Sequence, residues 1–244
     1  MIRLPFLENA GLELAAISGK SDGDCGRHAA DPDHRAAFLQ QCGVSGEPLA
    51  LVRQVHGTTV VVAGNDGPDA ADGNVMDLGE ADGLITRNPE VVLGIAVADC
   101  VPVWLYDPRT HAGGLLHAGR EGTVSGICRE GVRMLRKTFG THPEQLLAVI
   151  GPSAGPCCYE ISTEMAEKLR GDDFPVVGRH LDLWAANREI LEKAGLNRHN
   201  IHVLAHCTIC GGFFHSFRKD GGKERNLAVL RLGARAGIHG NPLM

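Results

Sequence analysis

The sequence predicts a mixed α/β fold, with layered mixed sheets flanked by helices. Short apolar runs rich in β-branched residues outnumber the stretches with helical periodicity and are interleaved with them. Glycine is abundant, at 32 residues, and aromatic residues are only 5% of the chain, which favours tight turns over a helical bundle. Hydrophobic residues make up 43% of the 244 residues, enough for a packed core, and nothing resembles a linker. We therefore expect a single domain over residues 1–244.

The predicted strands are apolar runs of four to eight residues bounded by glycine, proline or charged residues. They lie at 49–55, 58–63, 83–86, 91–97, 101–106, 113–117, 146–151, 200–207 and 226–232. Between them, the stretches 19–35 and 64–82 are rich in glycine and aspartate. Those two stretches are predicted to be the least structured.

The predicted helices are recognised by apolar residues that recur every three to four positions. The clearest begins near Thr123, with apolar residues at 124, 127, 128 and 135, and Gly140 supplies its stop. Two further helices are expected over residues 162–170 and 183–194. Helices that alternate with strands in this way favour layers of helix against sheet.

Charge and targeting signals narrow the class of protein. The formal net charge is -5, which argues against a nucleic-acid partner because nucleic-acid binders usually carry a basic face. No apolar run reaches about 18 residues, so no membrane span is expected. The start of the chain lacks the pattern of a secretory signal, so we expect a cytoplasmic protein whose eight cysteines are reduced.

Several catalytic signatures are absent from the sequence. It contains no HExxH, GxSxG, GxxxxGK[ST] or GxGxxG motif, and no HxE…PCxxC pattern of the nucleoside deaminases. It also contains no His-x-His pair, although a multicopper oxidase needs many imidazoles for its copper ions. Copper-based oxidation of phenols is therefore poorly supported by the available ligands.

A local cluster of metal-ligating residue types lies at His202, His206, Cys207 and Cys210, where a C-x-x-C spacing suggests zinc or redox chemistry. If 200–207 is one strand, however, His202 and His206 share one face and Cys207 points to the other. We therefore interpret the four as core and loop residues in preference to a metal site.

A second set is spread along the chain. It comprises His56 in QVHG, Asp99 and Cys100 in ADCVP, and His117 in HAG, each near the end or a break of a predicted strand. Catalytic groups often lie at such strand ends. Taken singly, each residue also fits an ordinary core or turn position, so spacing alone does not select them.

The order of six segments resembles a known family. The segments are RQVHGTTVVVA, ADGLITRNPEVVLGIAVADCVPVWLYDP, GGLLHAG, IGPSAGPCCYEIS, LDLWAANREIL and FFHSFRKDGG, and they span about residues 49–232. Together they resemble the laccase-domain or multicopper polyphenol oxidoreductase family, also described as purine nucleoside phosphorylases and peptidoglycan-editing factors. The resemblance implies a fold similar to that of cysteine hydrolases and one zinc ion bound by His56, Cys100 and His117.

The implied ligand set agrees with the implied chemistry. Two imidazoles and one thiolate suit Zn²⁺ and leave a fourth position for water or substrate. The resemblance implies phosphorolysis of adenosine, inosine, guanosine or methylthioadenosine, or deamination of adenosine. Asp99, next to Cys100, is the candidate general acid/base or the group that orients the ligand, and its alternative role is that of a turn carboxylate.

Phosphorolysis also needs cations that hold phosphate. Arg53 and Arg218 match basic positions of the family, and Gln54 beside Arg53 is a further candidate for substrate binding. The chain departs from the family after HAG, where Arg120 and Glu121 replace the usual Trp and Arg. Glu121 is expected to repel phosphate unless Arg120 takes over the lost contact. The first 45 residues and the segment Lys223-Glu224-Arg225 also match the family poorly.

Three functions remain open. The first is a zinc-dependent enzyme that acts on purine nucleosides, with phosphate as co-substrate if it is a phosphorylase. The second is a hydrolase in which Cys100 is the nucleophile and His117 its base. The third is a non-catalytic zinc protein that assists peptidoglycan precursor editing. The sequence leaves the oligomeric state open.

Overall fold

The computed structural model describes residues 1–64 and 74–234 and contains two six-stranded sheets and one two-stranded sheet. The strands are β1 (Ile2–Arg3), β2 (Leu14–Ile17), β3 (Leu49–Arg53), β4 (Val60–Val62), β5 (Val75–Glu80), β6 (Gly83–Thr86), β7 (Val92–Val97), β8 (Val101–Asp107), β9 (Ala112–Ala118), β10 (Leu147–Ile150), β11 (Val176–Val177), β12 (His180–Leu181), β13 (Ile201–Val203) and β14 (Asn226–Arg231). The helices are α1 (Pro5–Glu8), α2 (Pro32–Gln41), α3 (Arg120–Ser125), α4 (Ile127–Phe139), α5 (Thr163–Gly171), α6 (Leu183–Lys193) and α7 (Phe217–Asp220). Within those ranges, no helix combines the length and apolar character needed to cross a bilayer.

Both large sheets are mixed, as the sequence predicts. The first has the order β1-β2-β14-β7-β3-β5, and its pairs are antiparallel except β7 with β3 and β3 with β5. The second has the order β13-β10-β8-β9-β6-β4, where only the outer pairs β13 with β10 and β6 with β4 are parallel. Strands distant in sequence are therefore neighbours in each sheet.

The two sheets pack against each other and are covered by helices on their outer faces. On β8, Trp104 and Tyr106 belong to the core between the sheets, whereas Val103 and Leu105 belong to the core beneath α4, α5 and α6. This alternation follows from the two-residue repeat of a strand. A third core, which includes Phe38 of α2, covers the outer face of the first sheet. The layered arrangement predicted from the sequence is thus confirmed.

Two predicted elements differ from the structure. The helix expected from Thr123 begins at Arg120 and is divided into α3 and α4 at Gly126, whose φ of 90° interrupts the helix. The strand expected over 200–207 ends at Val203, and Ala205 takes a left-handed φ of 53°. Because the chain leaves the sheet there, the argument that places His206 and Cys207 on opposite strand faces does not apply.

The two stretches predicted to be least structured contain regular elements. Helix α2 begins within 19–35, where the Asp31 side chain caps it by accepting from the backbone N–H of Asp33. Only Arg35 and Phe38 are buried in this helix, so its apolar periodicity is weak. Strand β5 lies within 64–82, and residues 65–73 of that stretch lie outside the described residues.

Candidate metal centre and its cavity

The three predicted ligands converge at one edge of the paired sheets. His56 follows β3, Cys100 lies between β7 and β8, and His117 is near the end of β9. The pairing of β8 with β9 sets Val101 opposite Ala118, which brings Cys100 close to His117. One ligand atom of each of the three residues lies within 4.8 Å of the others. The predicted trio is therefore one cluster of possible metal ligands in the structure.

The backbone at His56 and at Asp99, which precedes Cys100, has positive φ angles of 62° and 84°. Residues other than glycine rarely adopt such angles, and surrounding contacts must hold them. Here the carboxylate of Asp82 accepts hydrogen bonds from the backbone N–H groups of His56, at 2.9 Å, and Gly57, at 2.7 Å. The turn that presents the His56 imidazole is thus held by a buried carboxylate.

Asp82 also contacts the opposite side of the cluster. Its Oδ1 lies 2.8 Å from Nδ1 of His117, and its side chain is fully buried. Burial by itself raises the pKa of Asp82, but hydrogen bonds from His117 and from the backbone of Gly57 outweigh it and leave the pKa below its usual value. Because Nδ1 is engaged, Nε2 of His117 is the nitrogen left to face a metal.

In the metal-free chain, a negative charge on Cys100 and a positive charge on His117 stabilise each other. Burial raises the pKa of Cys100, yet hydrogen bonds from His117 and His56 lower it to about 6. Burial lowers the pKa of His117, yet hydrogen bonds with Asp82 and Cys100 raise it to about 9. At neutral pH, Cys100 is consequently a thiolate, which is the form that binds metal.

Gly119 allows the sulfur to lie close to the chain that follows β9. A Cβ at this position would lie 2.8 Å from Cys100 Sγ and 3.2 Å from Cδ2 of His56. Any side chain here would push against two of the three ligands. The glycine of HAG is therefore required by the compactness of the cluster.

The donor set fits a zinc ion. His56, Cys100 and His117 supply two imidazoles and a thiolate, the combination that borderline-soft Zn²⁺ prefers, and a fourth position is left open. The Asp82–His117 hydrogen bond is the usual support of a ligating histidine. The arrangement can therefore hold a metal ion with one coordination position left for water or substrate.

A cavity of about 620 Å³ opens above the cluster, a size typical of small-molecule sites. All three ligands line it, together with the ring of Tyr159 and the side chain of Leu183. The wall is rich in positive charge. Its cationic side chains are Arg27, Arg53, Arg120, Arg218, Lys223 and Arg225.

Arg120 and Glu121 occupy different environments in the first turn of α3. Arg120 lines the cavity, whereas the Glu121 side chain is 58% exposed and is not among the lining residues. Nε of Arg120 donates to Oε1 of Glu121 at 3.0 Å, so the carboxylate steadies the guanidinium from outside. The structure thus places Arg120, but not Glu121, among the residues that line the cavity.

The other predicted substrate contacts also line the cavity, but they differ in their availability. Arg53 at the rim pairs with Glu80 at 3.0 Å and is largely exposed. The amide of Gln54 is held by the backbone of Ala96, with Nε2 donating to its carbonyl at 2.7 Å and Oε1 accepting from its N–H at 3.0 Å. Gln54 therefore closes the gap between β3 and β7, which is a structural role.

Arg218 makes contacts within the protein and also lines the cavity. Its guanidinium carbon lies 4.9 Å from the centroid of the Tyr159 ring, and Nη1 donates to the Glu160 carbonyl at 2.8 Å. An arginine held by these two contacts can offer its remaining N–H groups to an anion in the cavity.

Both carboxylate oxygens of Asp99 have protein partners. Oδ1 accepts from Oγ1 of Thr208 at 2.5 Å, and Oδ2 accepts from the backbone N–H of Arg218 at 2.7 Å. Asp99 lines the cavity but is only 8% exposed. These contacts fit the role of a carboxylate that orders the turn next to Cys100 better than that of a proton-transfer group.

In the structure, the residues of the local His and Cys cluster have different surroundings: the two histidines contact aromatic rings, and the two cysteines join other cysteines. His202 stacks on Phe6 with ring centroids 5.5 Å apart, and His206 meets the edge of Phe214. Their interpretation as packing residues agrees with these contacts. Cys207 and Cys210, in contrast, lie beside Cys157 and Cys158 as a second group of possible metal ligands. That convergence was missed because the two cysteine pairs lie far apart in sequence.

Asp82 is the main site residue that sequence reasoning missed. It lies in the ADG that precedes strand β6, and a lone buried aspartate gives little warning of its role. The one signal was its position before a strand predicted to be apolar, where an acidic residue needs partners.

Comparison with known sequences assigns the chain to a protein family. The chain belongs to the family described as multi-copper polyphenol oxidoreductase laccase, whose family model matches residues 19–232. This match begins earlier than the resemblance carried by the motifs, which starts at residue 49. The family name refers to copper, whereas the trio of ligands in this chain is small and contains a thiolate.

Individual relatives have names that refer to nucleosides. A purine nucleoside phosphorylase of Deinococcus radiodurans is 34% identical over 85% of this chain and 79% of its own length. A protein named adenosine deaminase RL5, from an unknown prokaryotic organism, is 32% identical over 73% of this chain and 72% of its own. The crystal structure of YlmD from Geobacillus stearothermophilus superposes with a TM-score of 0.82 at 28% identity, covering 92% of this chain and 93% of that one.

Proposed function

We propose that this protein is a zinc-dependent enzyme that cleaves purine nucleosides with inorganic phosphate. One observation carries the proposal: an open three-ligand metal centre lies in a cavity whose wall carries several cations. The metal centre would bind the nucleoside, and the cations would bind the phosphate. The relatives named purine nucleoside phosphorylase support the same assignment.

The reaction joins a phosphate oxygen to C1′ of the ribose while the bond from C1′ to the purine nitrogen breaks. The bond's electron pair leaves with the purine, which takes up the proton released by hydrogen phosphate, so the products are ribose 1-phosphate and the free base. When bound, zinc supplies Lewis acidity that polarises a substrate atom. The residues of the chain must hold the anion against the sugar and exclude competing water.

Arg120 and Arg218 are the cations best placed for the phosphate. Both side chains line the cavity. Arg120 closely follows the strand that carries His117, and the backbone N–H of Arg218 donates to Asp99. Planar guanidinium groups bind phosphate oxygens in pairs. The Tyr159 ring packs against the Arg218 guanidinium and so helps to hold that cation at the cavity wall.

A hydrolase with Cys100 as nucleophile is the second candidate, and one specific observation favours it. His117 Nδ1 lies 2.8 Å from Asp82 Oδ1, and a ligand atom of His117 lies within 4.8 Å of Cys100 Sγ, so the imidazole lies between a carboxylate and a thiol. That order is the one found in Cys-His nucleophilic sites. A zinc-bound thiolate is not free to attack, so metal content separates the two candidates.

A nucleoside panel tests the proposal. Purified protein is incubated with inosine, guanosine, adenosine and methylthioadenosine, with and without phosphate, and products are separated by chromatography. Phosphorolysis predicts free base and the 1-phosphate of the corresponding sugar only when phosphate is present. Inosine formed from adenosine without phosphate would indicate deamination instead, as the name of one relative suggests. Turnover of none of the four by zinc-loaded protein would contradict the enzymatic proposal and favour the non-catalytic zinc protein.

A further inference from the structure

Four cysteines gather in a second cluster outside the cavity wall. Cys157 and Cys158 follow β10, and Cys207 and Cys210 follow β13, so the cluster lies beyond two parallel neighbouring strands. Their sulfur atoms all lie within 4.8 Å of one another, and Cys157 Sγ lies 3.7 Å from Cys210 Sγ. Sulfur atoms bound to one tetrahedral zinc at about 2.3 Å are separated by about 3.8 Å. The spacing thus suits a single ion.

The backbone brings the two cysteine pairs together by close contacts. Ser153 and Cys207 form an isolated parallel bridge, and the N–H of Thr208 donates to the Ser153 carbonyl at 2.9 Å. A Cβ at Gly155 would lie 3.1 Å from the Cβ of Cys207 and 2.6 Å from the Trp184 ring, so only glycine fits there. The cluster is consequently built by the fold, because the loops after β10 and β13 are held in register.

Backbone N–H groups surround one of the four sulfur atoms. The N–H of Gly155 donates to Cys207 Sγ at 3.4 Å. The N–H groups of Ile209 and Cys210 also donate to this sulfur. Donors from the second and third residues after the first cysteine of a C-x-x-C segment stabilise a ligating sulfur in the same way that outer hydrogen bonds stabilise other metal ligands.

The closeness of the four sulfur atoms shows what the cluster requires. Several thiolates cannot gather at one point unless a cation neutralises them. Cys157 and Cys210 are exposed on the surface, so an ion can enter without unfolding of the core.

We propose that Cys157, Cys158, Cys207 and Cys210 bind a second zinc ion, in a closed site with a structural role. Four thiolates complete a tetrahedral shell and leave no position for substrate, unlike the trio in the cavity. None of the four cysteines is among the residues that line the cavity. The second ion therefore serves the shape of the protein and takes no part in the reaction.

The structure shows which part of the protein this ion would hold. Thr208, next to Cys207, donates to Asp99 Oδ1 at 2.5 Å, and the N–H of Ala154 donates to the Asp99 carbonyl at 2.9 Å. Asp99 directly precedes the ligand Cys100 in a turn with positive φ. The four-cysteine site thus fastens both loops that hold the turn beside the metal centre in the cavity.

Metal counting tests this second site in the intact protein. Protein produced with zinc in the medium is dialysed, and its zinc is measured against protein concentration. We expect about two zinc ions per chain, one in each site. The variant with Cys157→Ser and Cys210→Ser should retain about one, the His117→Ala variant should also retain about one, and their combination should retain none.

Cobalt supplies a readout that does not depend on activity. Metal-free protein titrated with Co²⁺ should show intense thiolate-to-cobalt absorption in the near ultraviolet, most of which the Cys157→Ser and Cys210→Ser changes remove. Cys42→Ala, a cysteine change outside both clusters, should leave the spectrum unchanged and controls for the loss of a thiol. Circular dichroism confirms that each variant is folded.

Three outcomes would overturn the second site. One is wild-type protein with about one zinc that His117→Ala removes entirely. Another is a double-serine variant that keeps all the zinc of the wild type. The third is a disulfide among the four cysteines in protein isolated without reductant, found by peptide mass spectrometry. None of these results would affect the nucleoside reaction, so failure of this site and failure of the proposed function are distinguishable.

Discussion

The Nδ1 atom of His117 lies 2.8 Å from Oδ1 of Asp82, and both side chains are buried. The same carboxylate accepts the backbone N–H groups of His56 and Gly57, so one residue orients two of the three candidate ligands. A change at Asp82 is consequently expected to disturb the metal centre from both sides at once.

We predict that Asp82→Asn weakens zinc binding about ten- to a hundredfold, the usual effect of removing the partner of a ligating histidine. Affinity is measured by competition with a chromophoric chelator. Asp107→Asn is the matched control, since Asp107 is equally buried and also accepts backbone N–H groups, but those belong to Arg109 and Thr110 and not to the metal centre. Equal losses of affinity in both variants would show that the effect is general destabilisation.

Removal of a ligand should release metal without unfolding the chain. Cys100→Ala is expected to lose the zinc of the cavity while its circular dichroism remains native, since a core of this size does not depend on a metal. His206→Ala, whose ring packs against Phe214, should keep that zinc. If Cys100→Ala retained all its zinc and His206→Ala lost it, the ligand assignment would be wrong.

The metal-free protein should contain an unusually reactive thiol. The pKa of Cys100 is lowered from 9.0 to about 6, so its thiolate is present above that pH and is lost as the pH falls through it. The rate of Cys100 alkylation by iodoacetamide, followed by peptide mass spectrometry, should therefore rise to a plateau with a midpoint near pH 6. His117→Ala should move the midpoint upward, because the imidazolium is a main cause of the low value. A midpoint near 9 in the unmodified protein would contradict the thiolate.

Arg120 and Glu121 should contribute unequally to phosphate use. Loss of a hydrogen bond to a charged group costs roughly 1.5–3 kcal/mol, so Arg120→Ala should raise the KM for phosphate about ten- to a hundredfold. Glu121→Gln removes only an exposed ion pair and should change that KM less than about fivefold. A large decrease in KM for Glu121→Gln would show that this carboxylate repels phosphate after all.

Much of the fold could be predicted because its strands are short apolar runs between clear turns. Each of the nine predicted strands overlaps an observed strand, although the one predicted at 200–207 is reduced to Ile201–Val203. Helix α2 was missed because few of its side chains are buried, and the break at Gly126 was missed because apolar spacing continues across it. Propensity records the local pattern and does not record where tertiary contacts interrupt it.

Some residues of the candidate site could likewise be predicted from the sequence, and others could not. The trio of ligands was assigned through the motifs QVHG, ADCVP and HAG, and the structure brings them together. Asp82 and the Cys157–Cys158 pair could not be recognised, since their partners lie far away in sequence and meet only through strand register. Gln54 lines the cavity, as a substrate-binding residue would, and its amide also bonds to the backbone of Ala96, a contact that no sequence pattern records.

The most direct test of the metal-dependent nucleoside reaction is the rate of hypoxanthine release from inosine as zinc is added back to chelated protein in phosphate buffer. Wild-type protein is used, and the His117→Ala variant, which keeps all four cysteines of the second cluster, is the control. We expect almost no release without metal, a rise to a plateau as zinc fills the cavity site, and no release from the control at any zinc concentration. A rate that does not depend on zinc, or full zinc occupancy with no release of base, would contradict the proposed function.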